Sequence, residues 1–188
     1  MLNYHDVRDL LDGERPNPPA WKNYIQSRSE VYGTYFPACC KASMISEANW
    51  VLRNQYQSGE EIGVRIDPGD ICYMDFGQAY LNEMGYQHFG LCMNICRRKA
   101  FIIPMTSNPV HYAEAYDEVR NPCGKIHLMQ IGKPEGLNKP SVLYMNDARY
   151  INTARVIEVK AHIPTDSELF REIRMRFIHL FFQTAAVE

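Results

Sequence analysis

From Ile66 onward the hydrophobic period of this chain changes, and that change limits what it can fold into. Ile71, Tyr73 and Asp75 alternate with Cys72, Met74 and Phe76, a period of two that suits a strand with two different faces. Further strand-like runs follow at 88–95, 100–105, 125–131, 141–146 and 154–161. Short strands separated by turns predict a small antiparallel β-barrel.

The sequence before Ile66 reads as helical. Asn3 is placed to cap a short helix carrying Val7, Leu10 and Leu11, which Gly13 would end. Pro16, Pro18 and Pro19 predict a stiff break. Trp21, Tyr24, Ile25 and Arg28 recur at helical spacing, and after Pro37 a third helix is expected to start near Ser43, with Ile45, Ala48 and Leu52 on one face and Ser58-Gly59 at its end. The chain is expected to finish as it began, in a helix. Thr165 and Glu168 have capping-box spacing, and Leu169, Phe170, Ile173, Phe177, Leu180 and Phe181 form one apolar stripe that should pack on the sheet. The expected organisation is therefore an N-terminal helical extension (1–66) and a barrel with a C-terminal helix (67–188), in the α+β class.

With 46% hydrophobic residues the chain can bury a real core. Its net charge of −2 falls on residues 1–64, which hold eight acidic and six basic side chains; the remainder is neutral. It thus lacks the strong basic footprint that advertises a nucleic-acid binder. The N-terminal residues have no signal-peptide pattern, and the longest apolar clusters are too short to span a bilayer. Six cysteines without a Cys-x-x-Cys pair suit reduced thiols in a cytoplasmic protein. His88, Cys92 and Cys96 share a strand face but spread over roughly 25 Å, too far to close a tetrahedral site, so no metal is expected.

Four ordered blocks carry more information than any of these. Gly-Asp-Ile-Cys-Tyr-Met-Asp-Phe-Gly (69–77) runs into Asn-Glu-Met-Gly-Tyr-Gln-His-Phe-Gly-Leu (82–91); Ile-Ile-Pro-Met-Thr-Ser (102–107) follows, and Ser-Val-Leu-Tyr-Met-Asn-Asp-Ala-Arg-Tyr-Ile-Asn (141–152) closes the set. In order and register this resembles the PemK/MazF family of toxin endoribonucleases. That family reads roughly GDIVYVDL, then SEQGGxRPVLVI, then a strand ending in IT or TS, then DSVILLEQIRTIDKQRL, which aligns with 140–156 without a gap. The resemblance covers about two thirds of the chain and implies an SH3-like antiparallel barrel with a C-terminal helix. It also implies metal-independent cleavage of single-stranded RNA to a 2′,3′-cyclic phosphate and a free 5′-OH, with no cofactor. A homodimer and a cognate antitoxin are implied in the same way.

Such cleavage needs an acid/base group for the 2′-OH and fixed donors for the phosphorane charge. His88 aligns where the family has Arg followed by Pro; a histidine there works as base or acid at neutral pH, or it simply opens a strand and satisfies a carbonyl. Thr106 aligns with the family's threonine at the scissile phosphate, with Ser107 beside it; the alternative is a Thr-Ser pair starting a turn. Glu83 matches a family glutamate and either assists His88 or is a solvated loop carboxylate. Arg149 matches the arginine of Ile-Arg-Thr-Ile, suited to phosphate or to a structural ion pair. Asp147 and Ser107 join the expected substrate contacts, and Tyr86 is among the aromatics placed to stack on bases, with Tyr80, Phe89, Tyr112 and Tyr116. Arg97, Arg98 and Lys99 read as a solvated hairpin turn. The rival expectation is a barrel of the same fold that binds RNA or protein without cutting. A gyrase poison of the CcdB type, which shares the barrel, is disfavoured because both tryptophans (Trp21 and Trp50) lie far from the C-terminus.

Overall fold

The computed structural model describes residues 18–182, so the expected short helix around residues 7–11, Pro16 and the last six residues lie outside the described part. The chain divides into two compact units, residues 1–44 and 45–188. Helix α1 (Pro18–Thr34) fills most of the described first unit, and α2 (Pro37–Arg53) begins there and continues into the second. Pro18 and Pro19 do not break the chain. They occupy the first helical turn, where a missing N–H costs nothing. Pro37 does the same for α2, which therefore starts earlier than the apolar spacing predicts. Within the first unit the two helices meet through a polar contact, Tyr32 Oη to Ser43 Oγ at 2.7 Å.

The second unit is built on seven antiparallel strands: β1 (Asp70–Asp75), β2 (Gln87–Cys96), β3 (Lys99–Thr106), β4 (Leu128–Gly132), β5 (Ser141–Tyr144), β6 (Arg149–Asn152) and β7 (Val156–His162). Their order is β4-β5-β3-β2-β1-β7, with β6 also on β3. The expected α+β, mainly antiparallel architecture is present, although hydrogen bonding leaves the sheet open between β4 and β7 among the described residues. Strands β5 and β6 lie in succession along one edge of β3. Val142 and Leu143 pair with Thr106 and Met105, and Arg149–Asn152 pair with Ile102–Lys99. A 3₁₀ turn at Met145–Asp147 separates them. The basic run occupies the β2–β3 hairpin, with Arg97 in the left-handed region (φ 57°) and exposed.

Both faces of the sheet are covered. On one face Ile71, Leu91, Ile103, Met105 and Leu143 pack with Phe170 and Ile173 of the C-terminal helix α4 (Glu168–Phe182), and Leu169, Phe177 and Leu180 complete the contact. The expected apolar stripe is therefore core. Its N-cap is Ser167, whose Oγ accepts the Phe170 N–H at 3.2 Å, rather than the Thr165 of the capping-box reading. On the other face Cys72, Met74, Phe76, Cys92, Ile102, Ile151 and Val156 form a second cluster, with Val64 and Ile66 against it. Burial pushes the Cys72 thiol up and the Cys92 thiol up to about 12, with Asp70 adding to both, so neither is a ready nucleophile.

The part of α2 in the second unit docks on the sheet in a way its apolar spacing does not predict. Trp21, Tyr24 and Ile25 in the first unit are exposed, and so are Ile45 and Leu52 in the second. These side chains do not supply the buried faces expected of them. In the second unit polar groups do the docking. Buried Asp75 accepts Ser46 Oγ at 2.9 Å and Asn49 Nδ2 at 3.0 Å from α2, and the Gly77 N–H at 2.9 Å. Arg53 Nη1 donates to the carbonyls of Ala154 (3.1 Å) and Val156 (2.8 Å), and the Gly59 N–H donates to Thr153 Oγ1 at 2.8 Å. Asp75→Ala would strip three donors of their acceptor. Unfolding free energy should fall by about 3 kcal/mol, read as a lower midpoint in urea; an unchanged midpoint would show that α2 docks by other means.

Candidate functional site

The register of β2 against β3 fixes the first pair of side chains. Phe89 lies opposite Met105, Gly90 opposite Pro104 and Cys92 opposite Ile102. The paired stretch ends there, and His88 and Thr106 come next on their strands, each one residue beyond Phe89 and Met105 at the same end of the sheet. His88 lies on the face carrying Met74, with which it pairs, and Phe76. Burial lowers the His88 pKa from its usual 6.5, so the imidazole is neutral at pH 7. Thr106 Oγ1 accepts the Asn108 N–H at 3.3 Å, which leaves the hydroxyl proton free to donate outward.

The turn reading of the Thr-Ser pair is also met in part. Asn108 caps a short helix α3 (Pro109–Glu114), its Oδ1 accepting the Val110 N–H at 2.9 Å, with Pro109 in the first turn. The sequence signal was there, since Asn followed by Pro is a helix-start pattern.

Beside this pair lies the 77–86 loop. It leaves β1 at Gly77 (φ 88°), where an Arg155 guanidinium sits close to the position a Cβ would take. It returns through Tyr86 (φ 58°), whose N–H and C=O pair with Gly77 and Phe76 at 2.7 Å. Two side chains clamp it from β6 and the preceding turn. Asp147 Oδ2 accepts the Met84 N–H at 2.7 Å, and Arg149 Nη2 donates to the Met84 carbonyl at 2.6 Å. The Arg149 guanidinium also lies 5.3 Å from the Phe76 ring centroid. Phe76 in turn covers Gly90, where a side chain would run into Phe76 and Ile102. Arg149 and Asp147 thus position the loop, a role the sequence did not reveal because Met84 takes part through its backbone alone.

The remaining expected residues are dispersed around this core. Glu83 is exposed and its Oε2 accepts the Tyr80 N–H at 3.2 Å, which shapes the loop. Tyr80 and Leu81 at the loop tip are 85% and 94% exposed. Tyr112 packs into a small cluster with Ala115, Leu128 and Val142, and Tyr116 lies under Arg176. Ser107 follows Thr106 but faces the opposite side of the sheet, where it lines a cleft with Phe89. Among the described residues no three His, Cys, Asp or Glu side chains come together as a metal site.

No family model and no curated protein matches the chain. Among solved structures it is similar to a MazF from Deinococcus radiodurans (Form-I), with 18% identity and a TM-score of 0.44 over 62% of this chain and 96% of that one. It is similar to the MazE-MazF structure (Form-II) from the same organism, with 17% identity and a TM-score of 0.41 over 63% and 97%. It is also similar to the Mycobacterium tuberculosis toxin MazF-mt6, with 13% identity and a TM-score of 0.41 over 60% and 95%.

The clamp has a measurable consequence. In Arg149→Ala the Met84 carbonyl loses its partner, and amide hydrogen exchange in the 78–86 segment should accelerate roughly tenfold, matching one lost charge-assisted bond of about 1.5 kcal/mol. Exchange at the wild-type rate would mean that Arg149 does not hold the loop.

Proposed function

We propose that this protein is a metal-independent endoribonuclease of the PemK/MazF type, the toxin half of a toxin–antitoxin module, acting on single-stranded RNA. The observation that carries the reading is that a neutral, partly buried His88 and the Thr106 hydroxyl lie at the same end of the sheet, each one residue beyond the Phe89–Met105 pair. Neutral imidazole is the basic form, and lowering its pKa keeps it neutral at physiological pH.

In the proposed reaction His88 takes the proton of a ribose 2′-OH. The resulting oxyanion attacks the adjacent phosphorus, the P–O5′ bond breaks, and the departing 5′-oxygen takes a proton from water. The products are a 2′,3′-cyclic phosphate and a 5′-OH end. The Thr106 hydroxyl donates to a non-bridging oxygen as charge builds on phosphorus. Glu83, Tyr86 and Ser107 would contact substrate around this centre, while Arg149 and Asp147 act through the loop they hold. By the same resemblance the toxin works as a cytoplasmic homodimer and is silenced by a cognate antitoxin. The similar MazE-MazF structure pairs such a chain with MazE. No described helix is long and apolar enough to cross a membrane.

A second reading, RNA or protein binding without turnover, is favoured by one observation. Arg149, the residue aligned with a family arginine, has its guanidinium engaged by Met84 and Phe76. The two readings separate in a cleavage assay on a long single-stranded RNA in EDTA with end-group mapping. Wild type should cut at defined sites. His88→Ala should lose about 10²-fold or more in rate, and Thr106→Ala roughly 10²-fold. The wild-type rate should rise with pH through a midpoint below 6.5 and then level off, because burial depresses the pKa of the base. Binding without cutting would select the second reading, and full activity in His88→Ala would remove His88 from the chemistry.

A further inference from the structure

The strand end at Thr106-Ser107 presents two adjacent hydroxyls to opposite faces of the sheet. Thr106 belongs to the His88 side. Ser107 opens into a cleft of about 220 Å³ lined by Phe89, Leu137, Asn138, Lys139, Ser141 and Lys160. Separate parts of the chain build it: β2 supplies Phe89, the 133–140 loop supplies Leu137 to Lys139, β5 supplies Ser141, β7 supplies Lys160, and Ser107 follows β3. The loop is pinned by Gly136 (φ 89°), which approaches the Lys160 carbonyl too closely for a side chain.

The lining is chemically divided. Phe89 and buried Leu137 give an apolar floor, and the Phe89 ring packs against Tyr73 at 5.1 Å between centroids, tilted by 47°, which restrains its plane. Exposed Lys139 and Lys160 stand at the rim with Asn138 and Ser107. The Ser141 hydroxyl is occupied with the Lys139 carbonyl at 3.3 Å. Lys160 pairs with Glu158 at 3.2 Å, both exposed, and such a pair readily exchanges for a phosphate contact. The volume lies below the roughly 300–1,000 Å³ of sites for drug-sized ligands and suits a single flat ring. An aromatic floor with cations at the rim is the combination that holds one unpaired base and its phosphate.

We propose that this cleft is a nucleotide subsite for the RNA strand, taking the base of a residue flanking the scissile phosphate on Phe89 and its phosphate between Lys139 and Lys160. The inference rests on the endoribonuclease reading and extends it, since the strand would cross the sheet edge at Thr106-Ser107 from the cutting face to the cleft. The cleft explains how a chain of net charge −2 holds RNA, through local lysines rather than a global basic surface.

The test is equilibrium binding of a fully 2′-O-methylated, non-cleavable RNA to the full chain at several salt concentrations, with wild-type cleavage of the ribose form measured alongside. Lys139→Ala/Lys160→Ala should bind about tenfold more weakly, with a salt slope shallower by about 0.7 for the one phosphate the two lysines share. Phe89→Leu keeps an apolar floor without a ring face and should weaken binding at least about fivefold. Should Phe89→Leu fail to fold, the surface lysine pair decides alone. Wild-type affinity and slope in the lysine variant, with cleavage intact, would overturn the cleft and leave the function standing. Weakened binding in the variants of a protein that never cuts would support the cleft and overturn the enzyme. A wild type that neither binds nor cuts would remove both.

Discussion

The carboxylate of Asp75 is the point on which the second unit depends. It is buried at the end of β1 and gathers a serine and an amide from α2 and a backbone N–H from Gly77. A buried charge is tolerated only where hydrogen bonds replace its water, and here the replacement comes from two directions. One donor pair holds the end of α2 against the sheet. The third starts the turn into the 77–86 loop, and Arg155, donating to the Asp75 carbonyl at 3.2 Å, closes the same corner from the segment before β7. One side chain thus takes part in both helix docking and the start of the loop.

That loop borders the candidate site, so the site inherits its shape from structural polar contacts. From Asp75 the chain turns at Gly77, is clamped at Met84 by Asp147 and Arg149, and re-enters the sheet at Tyr86 just before His88. The register of β2 on β3 then sets His88 and Thr106 at the same end of the sheet, each one residue beyond the Phe89–Met105 pair. A one-residue slip would move the histidine to the opposite face and Phe89 into its place. Burial of Leu91, Ile103 and Met105 on one face and Cys92 and Ile102 on the other resists such a slip. Core packing is what brings the two chemical groups together.

Much of this was legible in the sequence, and the failures have physical causes. The period-two run gave β1, and strand-like runs gave five of the later strands. Strand β6 was missed because Arg149-Tyr150-Ile151-Asn152 is short and mostly polar, and only its pairing with β3 makes it a strand. The apolar residues of the helical segment were read as a buried face, yet the sheet is met by Ser46, Asn49 and Arg53, whose partners lie 26 to 103 residues away. Resemblance singled out His88, Thr106, Asp147 and Arg149 as candidates. It did not separate residues that would touch substrate from those that hold the loop, since the shared partner is the Met84 backbone. The cleft was illegible for a similar reason. Phe89, Lys139 and Lys160 belong to three elements and carry no joint pattern in the chain.

The account stands or falls on whether a ribose 2′-oxygen is the attacking group at the His88–Thr106 end of the sheet. The most direct measurement is a deoxy scan of a short RNA that the purified protein cuts in EDTA, with one 2′-deoxynucleotide introduced at each position in turn. The account predicts that cutting disappears only when the deoxynucleotide lies immediately 5′ of the cleaved bond and continues elsewhere. Cutting that survives at that position, or the absence of any cutting of the all-ribose strand, would contradict it.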